Sequence, residues 1–92
     1  MASFTLITHQ ELADFAVARK RSGWREQDFE LQEDVFSPQK AEVEGAFGEV
    51  GVRCLLSQGV QVYRLGAGFA WVDEFAADLQ RGRFGTPTPR QG

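Results

Sequence analysis

The side chains used most often in catalysis and metal binding are sparse in this sequence. It has one cysteine, Cys54, and one histidine, His9. These two residues cannot form an intrachain disulfide or a structural zinc site, and neither has a partner base or nucleophile at a motif spacing. We therefore expect Cys54 to be a buried core residue and His9 a surface residue. The sequence predicts no metal ion, no cofactor and no enzymatic activity.

A short glycine pattern, Gly66-Ala67-Gly68, precedes a predicted helix. Free N–H groups at the start of a helix attract anions, so a glycine-rich turn there is a candidate phosphate site. The third glycine of a dinucleotide-binding turn is absent, because Trp71 stands at that position, and no Lys-Ser/Thr pair follows. The pattern therefore favours a flexible connector.

Carboxylates are concentrated in the middle of the chain. Residues 26–49 contain eight acids and one base, Lys40, although the whole chain has a formal net charge of only −3. If this stretch forms strands, five of the acids share the outer face of the first two: Asp28, Glu30, Asp34, Glu42 and Glu44. Such a row could bind Lys and Arg on a partner, with Trp24 as an aromatic anchor. The alternatives are a solvated face and a tryptophan at the edge of the core.

The first element is a predicted helix over residues 9–22. Thr8 and Glu11 have the spacing of a capping box, and Gly23 is a typical residue for a helix end. The basic residues 19–21 fall in the last turn, where cations complement the helix dipole. We interpret this basic cluster as part of the helix end rather than as a phosphate site.

From Asp28 onward the hydrophobic period changes from 3.6 to 2, which predicts strands. Four are expected, over residues 28–35, 41–47, 50–56 and 60–65. The Gly48-Glu49 pair is typical of a two-residue hairpin loop. In this register Val35 pairs with Ala41, Phe47 pairs with Val50, and Glu33 opposite Val43 is the one misfit on the apolar face.

The register of the last hairpin stays open at this level. A three-residue loop over residues 57–59 faces Val62 toward Cys54. A two-residue loop over residues 58–59 instead places Tyr63 opposite Cys54 and Leu65 opposite Val52.

A second helix is predicted over residues 69–81, ended by Gly82, with Phe84 folding back onto its last turn. The predicted fold is a two-layer α+β domain: a four-stranded antiparallel meander with both helices on one face. Residues 1–84 form this single domain, and residues 85–92 are expected to be a disordered tail.

The composition of the chain indicates which compartment and which classes of partner to expect. No apolar run approaches the roughly 20 residues that cross a bilayer, and no secretory signal is visible, so a cytoplasmic protein is expected. The acidic balance, with a pI near 5.0, argues against direct binding to nucleic acid or an anionic membrane. A protein partner with a basic surface is expected, and a homo-oligomer is possible.

This general character, a short acidic α+β chain without a catalytic set, is similar to that of phage and mobile-element inhibitor proteins, including anti-CRISPR and anti-restriction proteins. The resemblance implies a non-catalytic inhibitor that blocks a basic nucleic-acid-binding site on its partner. The alternative is a structural or assembly subunit that forms a homo-oligomer or joins a larger complex.

Overall fold

The computed structural model describes residues 4–87, which form an antiparallel sheet and three α-helices. A 3-10 turn at Glu26–Asp28 leads into the first strand, and the strand order is β1-β2-β3. The elements in chain order are α1 (His9–Arg21), β1 (Phe29–Val35), α2 (Pro38–Glu44), β2 (Gly48–Cys54), β3 (Val60–Leu65) and α3 (Trp71–Gln80). The α+β class agrees with the sequence prediction, but the predicted four-stranded meander is wrong because the sheet has three strands.

The segment predicted as a strand over residues 41–47 is instead part of α2 and the turn after it. The side chain of Ser37 accepts a 3.2 Å hydrogen bond from the Lys40 N–H, and Pro38 occupies the first helical position. The N–H of Gly45 donates to the Ala41 carbonyl at 2.9 Å, and Gly45 has φ +68°. The cap at the start of α2 and the left-handed glycine at its end therefore outweigh the alternation of apolar residues between them.

Because α2 replaces a strand, β1 pairs directly with β2. Leu31 lies opposite Val52 and Glu33 opposite Val50, so the predicted pairings through residues 41–47 are wrong. The predicted hairpin loop at Gly48 is wrong too, since Gly48 begins β2. A side chain at Gly48 would collide with the carbonyl oxygen of Asp34, so the close approach of β1 requires glycine here.

The β2–β3 register differs from both predicted alternatives. Val50 lies opposite Tyr63 and Gly48 opposite Leu65. Tyr63 and Leu65 do face the core, as the two-residue loop required, but against other partners. Both alternatives assumed a loop of two or three residues. In the structure β2 ends at Cys54 and β3 begins at Val60, so residues 55–59 form a longer connection.

The core lies between the inner face of the sheet and helices α1 and α3. Aromatic rings dominate it: the centroid of Phe15 is 4.5 Å from that of Phe75, and Phe29 is 5.3 Å from Phe84. The residues that complete the buried cluster are Ile7, Trp24, Val50, Val52, Cys54, Tyr63, Leu65, Trp71 and Leu79. Because each aromatic side chain buries a large apolar area, a few of them stabilise the core of a short chain.

Two terminal predictions are confirmed and one falls outside the description. The capping box of Thr8 and Glu11 begins α1, and Phe84 folds back until it is 1% exposed. Of the tail predicted to be disordered over residues 85–92, residues 88–92 lie outside the part that the structure describes.

Candidate protein-interaction surface

The residues with catalytic or metal-binding potential are dispersed. Cys54 is fully buried in the core, as predicted, and His9 is exposed at the start of α1. Within residues 4–87, no three His, Cys, Asp or Glu side chains are close enough to hold a metal ion. Gly66 and Gly68 have φ of +144° and +88°, so the glycine pattern is a connector whose backbone needs glycine.

The five acids predicted to share one sheet face are divided, because the strand pairing from which that face was derived is wrong. Asp28 is buried, and its Oδ2 accepts a 2.8 Å hydrogen bond from the Arg25 N–H at the 3-10 turn. Glu30 lies on the outer face of β1, where Oε1 is 3.5 Å from Nη2 of Arg53. Asp28 therefore has a local structural role, and Glu30 is partly neutralised.

The other three acids surround α2. Asp34 is exposed on the outer face of β1 opposite Glu49 rather than Glu42. Glu44 Oε1 lies 3.1 Å from Nη2 of Arg64, and the same arginine donates a 2.7 Å hydrogen bond to the Glu44 carbonyl. Glu42 is exposed on the opposite side of α2 and lines an apolar groove. The five acids thus do not form one row, because Asp28 and Asp34 stand at opposite ends of β1 and Glu42 and Glu44 lie on α2.

Trp24 does not lie beside the acids as an exposed anchor. Its side chain is 3% exposed and its ring centroid is 5.0 Å from that of Phe29. The Trp24 carbonyl accepts a 3.1 Å hydrogen bond from Nη1 of the buried Arg19. Trp24 is therefore a core residue that offers no side-chain surface to a partner, and Arg19 stabilises the end of α1 as expected.

Glu33, the misfit of the predicted register, holds the segment that precedes α1. Its carboxylate accepts hydrogen bonds from the N–H groups of Thr5, Leu6 and Ile7 at 2.6, 2.7 and 2.9 Å. Burial alone raises the pKa of Glu33, but the three hydrogen bonds together outweigh burial and lower the pKa. The carboxylate thereby fixes Leu6 at the edge of the groove next to α2.

The α2 arm, residues 36–47, connects two adjacent strands as an excursion from the sheet. Its base is fixed because the Phe36 N–H donates to the Phe47 carbonyl at 2.9 Å and the Phe47 N–H donates to the Leu65 carbonyl at 2.8 Å. Phe36 is buried there, with Nζ of Lys40 4.5 Å from its ring centroid. Helix α2 itself buries none of its residues, so it stands on a fixed base and presents its side chains to solvent.

Between the α2 arm, β1 and the β3–α3 connector lies an open groove with a volume of about 710 Å³. Its lining is mainly apolar, and Glu42 is its one ionisable side chain among the described residues. The lining residues are Leu6, Val35, Phe36, Pro38, Ala41, Glu42, Gly45, Ala46, Phe47, Gly66 and Ala67. The volume is in the range of ligand-binding clefts.

Three large apolar side chains are exposed around this groove. Val43 is 83% exposed, Phe47 56% and Val35 48%. Single exposed apolar residues are ordinary, but Val35 and Phe47 line one groove together and Val43 is exposed on the helix beside it, which is typical of an interaction surface. We call this group together with the groove the α2-end surface.

A second exposed apolar region lies on the outer face of the sheet, opposite the helices. Val60 and Val62 on the edge strand β3 are 52% and 57% exposed. Gly51 is the register partner of Val62 and leaves the centre of this face without a side chain. Acids of β1 and arginines of β2 and β3 surround the two valines, so this region is more polar than the α2-end surface.

Phe47 and the groove do not follow from a prediction that places residues 41–47 in the sheet. The signals for a helix were present in the sequence: Ser37-Pro38 is a typical helix start and Gly45 a typical helix end.

Comparisons with protein-family models, with curated proteins and with solved structures found no match. In residues 4–87 no helix is long and apolar enough to span a membrane.

Proposed function

We propose that the protein is a non-catalytic protein-binding module that binds its partner through the α2-end surface. The observation that carries this proposal is the exposure of Val35, Val43 and Phe47 around a helix that buries none of its own residues. Exposed apolar side chains on a fixed base favour association because their burial removes apolar area from water without reorganising the core.

The distribution of these residues favours a macromolecule over a small ligand. The groove is lined by one side of α2, which includes Ala41, Glu42 and the following Gly45. Val43 does not line the groove, although it is the most exposed large apolar residue of the described chain. A partner that covers both Val43 and the groove must extend past the cleft, as a protein surface does.

Charge favours a basic partner. Asp34 and Glu42 are exposed acids near this surface with no ion pair among the described residues, and Lys40 is the one base of residues 26–49. A basic surface that otherwise holds nucleic acid has the matching charge, and its occupation by this acidic end would block nucleic acid sterically and electrostatically. We therefore propose inhibition of a nucleic-acid-binding protein as the form that this binding takes.

Site-specific photo-crosslinking tests the surface. A photoreactive phenylalanine analogue is placed at Val43 or Phe47, with Val17 as the matched control. Val17 lies on α1 and is 48% exposed, so it reports general stickiness of exposed apolar sites. We expect one stoichiometric adduct from the Val43 and Phe47 positions and none from Val17. Equal capture at all three positions would contradict a specific α2-end surface.

Charge reversal tests the partner. Asp34→Lys combined with Glu42→Lys changes one exposed acid of β1 and one exposed acid of α2 without touching a buried residue. We expect the crosslinked adduct to decrease in this variant and at high salt, while the circular dichroism spectrum stays unchanged. Undiminished capture by the folded double variant would exclude a basic partner.

A second candidate function, an assembly subunit, is favoured by the edge strand β3. Val60 and Val62 are exposed on it, and an edge strand with exposed valines can pair with a second copy. Sedimentation velocity across a concentration series tests this: self-association that Val62→Lys abolishes would support the assembly subunit. A monomer at all concentrations would contradict it.

A further inference from the structure

The groove next to α2 continues into a second cavity. That cavity has a volume of about 410 Å³ and lies at the start of α1, with Thr8, Gln10 and Glu11 in its lining. The two cavities share four lining residues: Leu6, Phe47, Gly66 and Ala67. They therefore adjoin each other at these residues and together make up a trough, open to solvent, that extends from α2 past Phe47 to the first turn of α1. We call it the α1–α2 trough.

The residues shared by the two cavities are apolar or glycine, and Gly66 lies directly against Phe47. A Cβ on Gly66 would lie 3.2 Å from the ring and the backbone of Phe47, closer than most real contacts. Ala67 and Gly45 also line this part of the groove. Phe47 is 56% exposed beside this space, so an apolar group placed in the trough would stack on its ring.

The ionisable side chains of the trough are both acidic and stand at its two ends. Glu42 lines the α2 end and Glu11 the α1 end, and neither cavity is lined by Lys or Arg. Among the described residues no cation lies within ion-pair distance of either carboxylate. Glu11 accepts a 2.9 Å hydrogen bond from the Thr8 N–H through Oε1, which leaves its second oxygen available.

We propose that the α1–α2 trough binds a short peptide segment of the partner that has apolar side chains in its centre and Lys or Arg toward both ends. This inference rests on the proposed protein-binding function and adds the chemistry of the occupant. The apolar centre would bury against Phe47, and the two cationic ends would face Glu42 and Glu11. A phosphate-bearing ligand is disfavoured because both ends of the trough would repel it.

Two matched synthetic peptides test the proposal on the full chain. Both have the same apolar core of Leu-Phe-Leu, and one has two Lys at each end where the other has two Glu. Binding is measured by amide chemical-shift changes in the 15N-labelled protein. We expect the Lys peptide to shift the amides of Gly45, Phe47 and Gly66 and to leave Val17 unshifted. Its affinity should exceed that of the Glu peptide by about tenfold at low salt.

Variants that change the charge of Glu42 or Glu11 then test whether these carboxylates face the two ends of the bound peptide. Glu42→Lys and Glu11→Gln should each weaken the Lys peptide by about threefold or more, and both effects should shrink as the Debye length falls at high salt. Because Glu11 also caps α1, the folded state of its variant is confirmed by circular dichroism. The exposed Glu26, outside the trough, provides the control: Glu26→Gln should leave the affinity unchanged.

Three results would overturn the proposal: equal affinity of the two peptides, shifts centred away from Gly45, Phe47 and Gly66, or no shifts at millimolar peptide. In each case photo-crosslinking at Val43 and Phe47 decides separately about the proposed function. A specific adduct without peptide binding would leave the protein-binding function in place and remove only this occupant. Absence of both would remove the function as well.

Discussion

The hydroxyl of Tyr63 donates a 2.7 Å hydrogen bond to Oδ2 of Asp78, and both residues are buried. The other carboxylate oxygen of Asp78 lies 3.1 Å from Nε of Arg83 and 3.4 Å from Nη1 of Arg81. This cluster joins β3 to α3 and to the turn that returns Phe84 to the core. Burial raises the pKa of Tyr63, and the hydrogen bond to Asp78 raises it further.

The first prediction concerns alkaline stability. The folded-state pKa of Tyr63 lies above its unfolded value of about 10, so above that pH the unfolded chain loses a proton that the folded protein keeps. Stability from this group is therefore full below about pH 10 and falls as the pH rises above it. Tyr63→Phe should remove this decline and lower the free energy of unfolding near neutral pH by about 1 kcal/mol.

Urea denaturation at a series of pH values checks this prediction. Tyr63 is the only tyrosine in the chain, so its ultraviolet difference absorbance reports its ionisation directly. Ionisation of the folded protein near the ordinary tyrosine pKa would contradict the expectation.

The second prediction concerns Glu33. Its folded-state pKa is lowered, so it contributes stability above its unfolded pKa of about 4.3, and the contribution is lost as the pH falls through the folded-state value. Glu33→Gln should flatten the acid side of the stability profile and cost about 1–2 kcal/mol at neutral pH, since three N–H groups lose their shared charged acceptor. Denaturant titrations from acid to neutral pH measure both effects, and an unchanged acid limb would refute the role.

The third prediction compares two glycines of β2. A Cβ at Gly48 would collide with the Asp34 carbonyl oxygen, whereas a Cβ at Gly51 would meet nothing closer than the Gln32 carbonyl oxygen at 3.9 Å. Gly48→Ala should therefore lower the free energy of unfolding by about 1–3 kcal/mol through overpacking. Gly51→Ala should be close to neutral or slightly stabilising. Equal effects of both substitutions on thermal unfolding would contradict the β1–β2 register.

The fourth prediction concerns the tryptophans. Trp24 and Trp71 are 3% and 1% exposed and are the only two in the chain. Nε1 of Trp71 has no hydrogen-bond partner within residues 4–87, so Trp71→Phe removes a donor that is unsatisfied there and leaves Trp24 as the single tryptophan. We expect acrylamide to quench Trp24 several-fold less in the folded protein than in urea. Equal quenching in both states would restore Trp24 as an exposed anchor.

Local signals predicted the elements whose ends are marked in the sequence. The capping box of Thr8 and Glu11 and the glycine after α1 placed that helix to within one residue at its C-terminal end. The apolar spacing of Val72, Phe75 and Leu79 placed α3. Such signals act within one or two turns, so they need no knowledge of the rest of the fold.

The α2 arm could not be predicted by periodicity alone because its apolar residues alternate by coincidence. Ala41, Val43 and Phe47 satisfied the strand period, and only the residues at the ends, Ser37-Pro38 and Gly45, favoured a helix. A strand assigned there separated β1 from β2, which in fact pair directly, since register is a non-local property of the sheet. The groove was therefore missed together with the helix that forms it.

The role of Glu33 shows a different limit of sequence analysis. Alternation indicated correctly that Glu33 points to the core side of β1, where a carboxylate opposite an apolar residue is unfavourable. The compensation comes from the N–H groups of Thr5, Leu6 and Ile7, which lie 26 to 28 positions earlier in the chain. A misfit in a register can thus mark a long-range polar contact whose partner the sequence does not show.

The separation of α2 from the core has an evolutionary consequence. Because α2 buries no residue and its base is fixed by backbone groups of Phe36 and Phe47, substitutions on its exposed positions change little of the folding free energy. The residues at Gln39, Val43 and their neighbours can therefore diverge quickly while the aromatic core stays unchanged. For protein engineering, the same helix is the segment at which a library would be randomised with the least loss of folded variants.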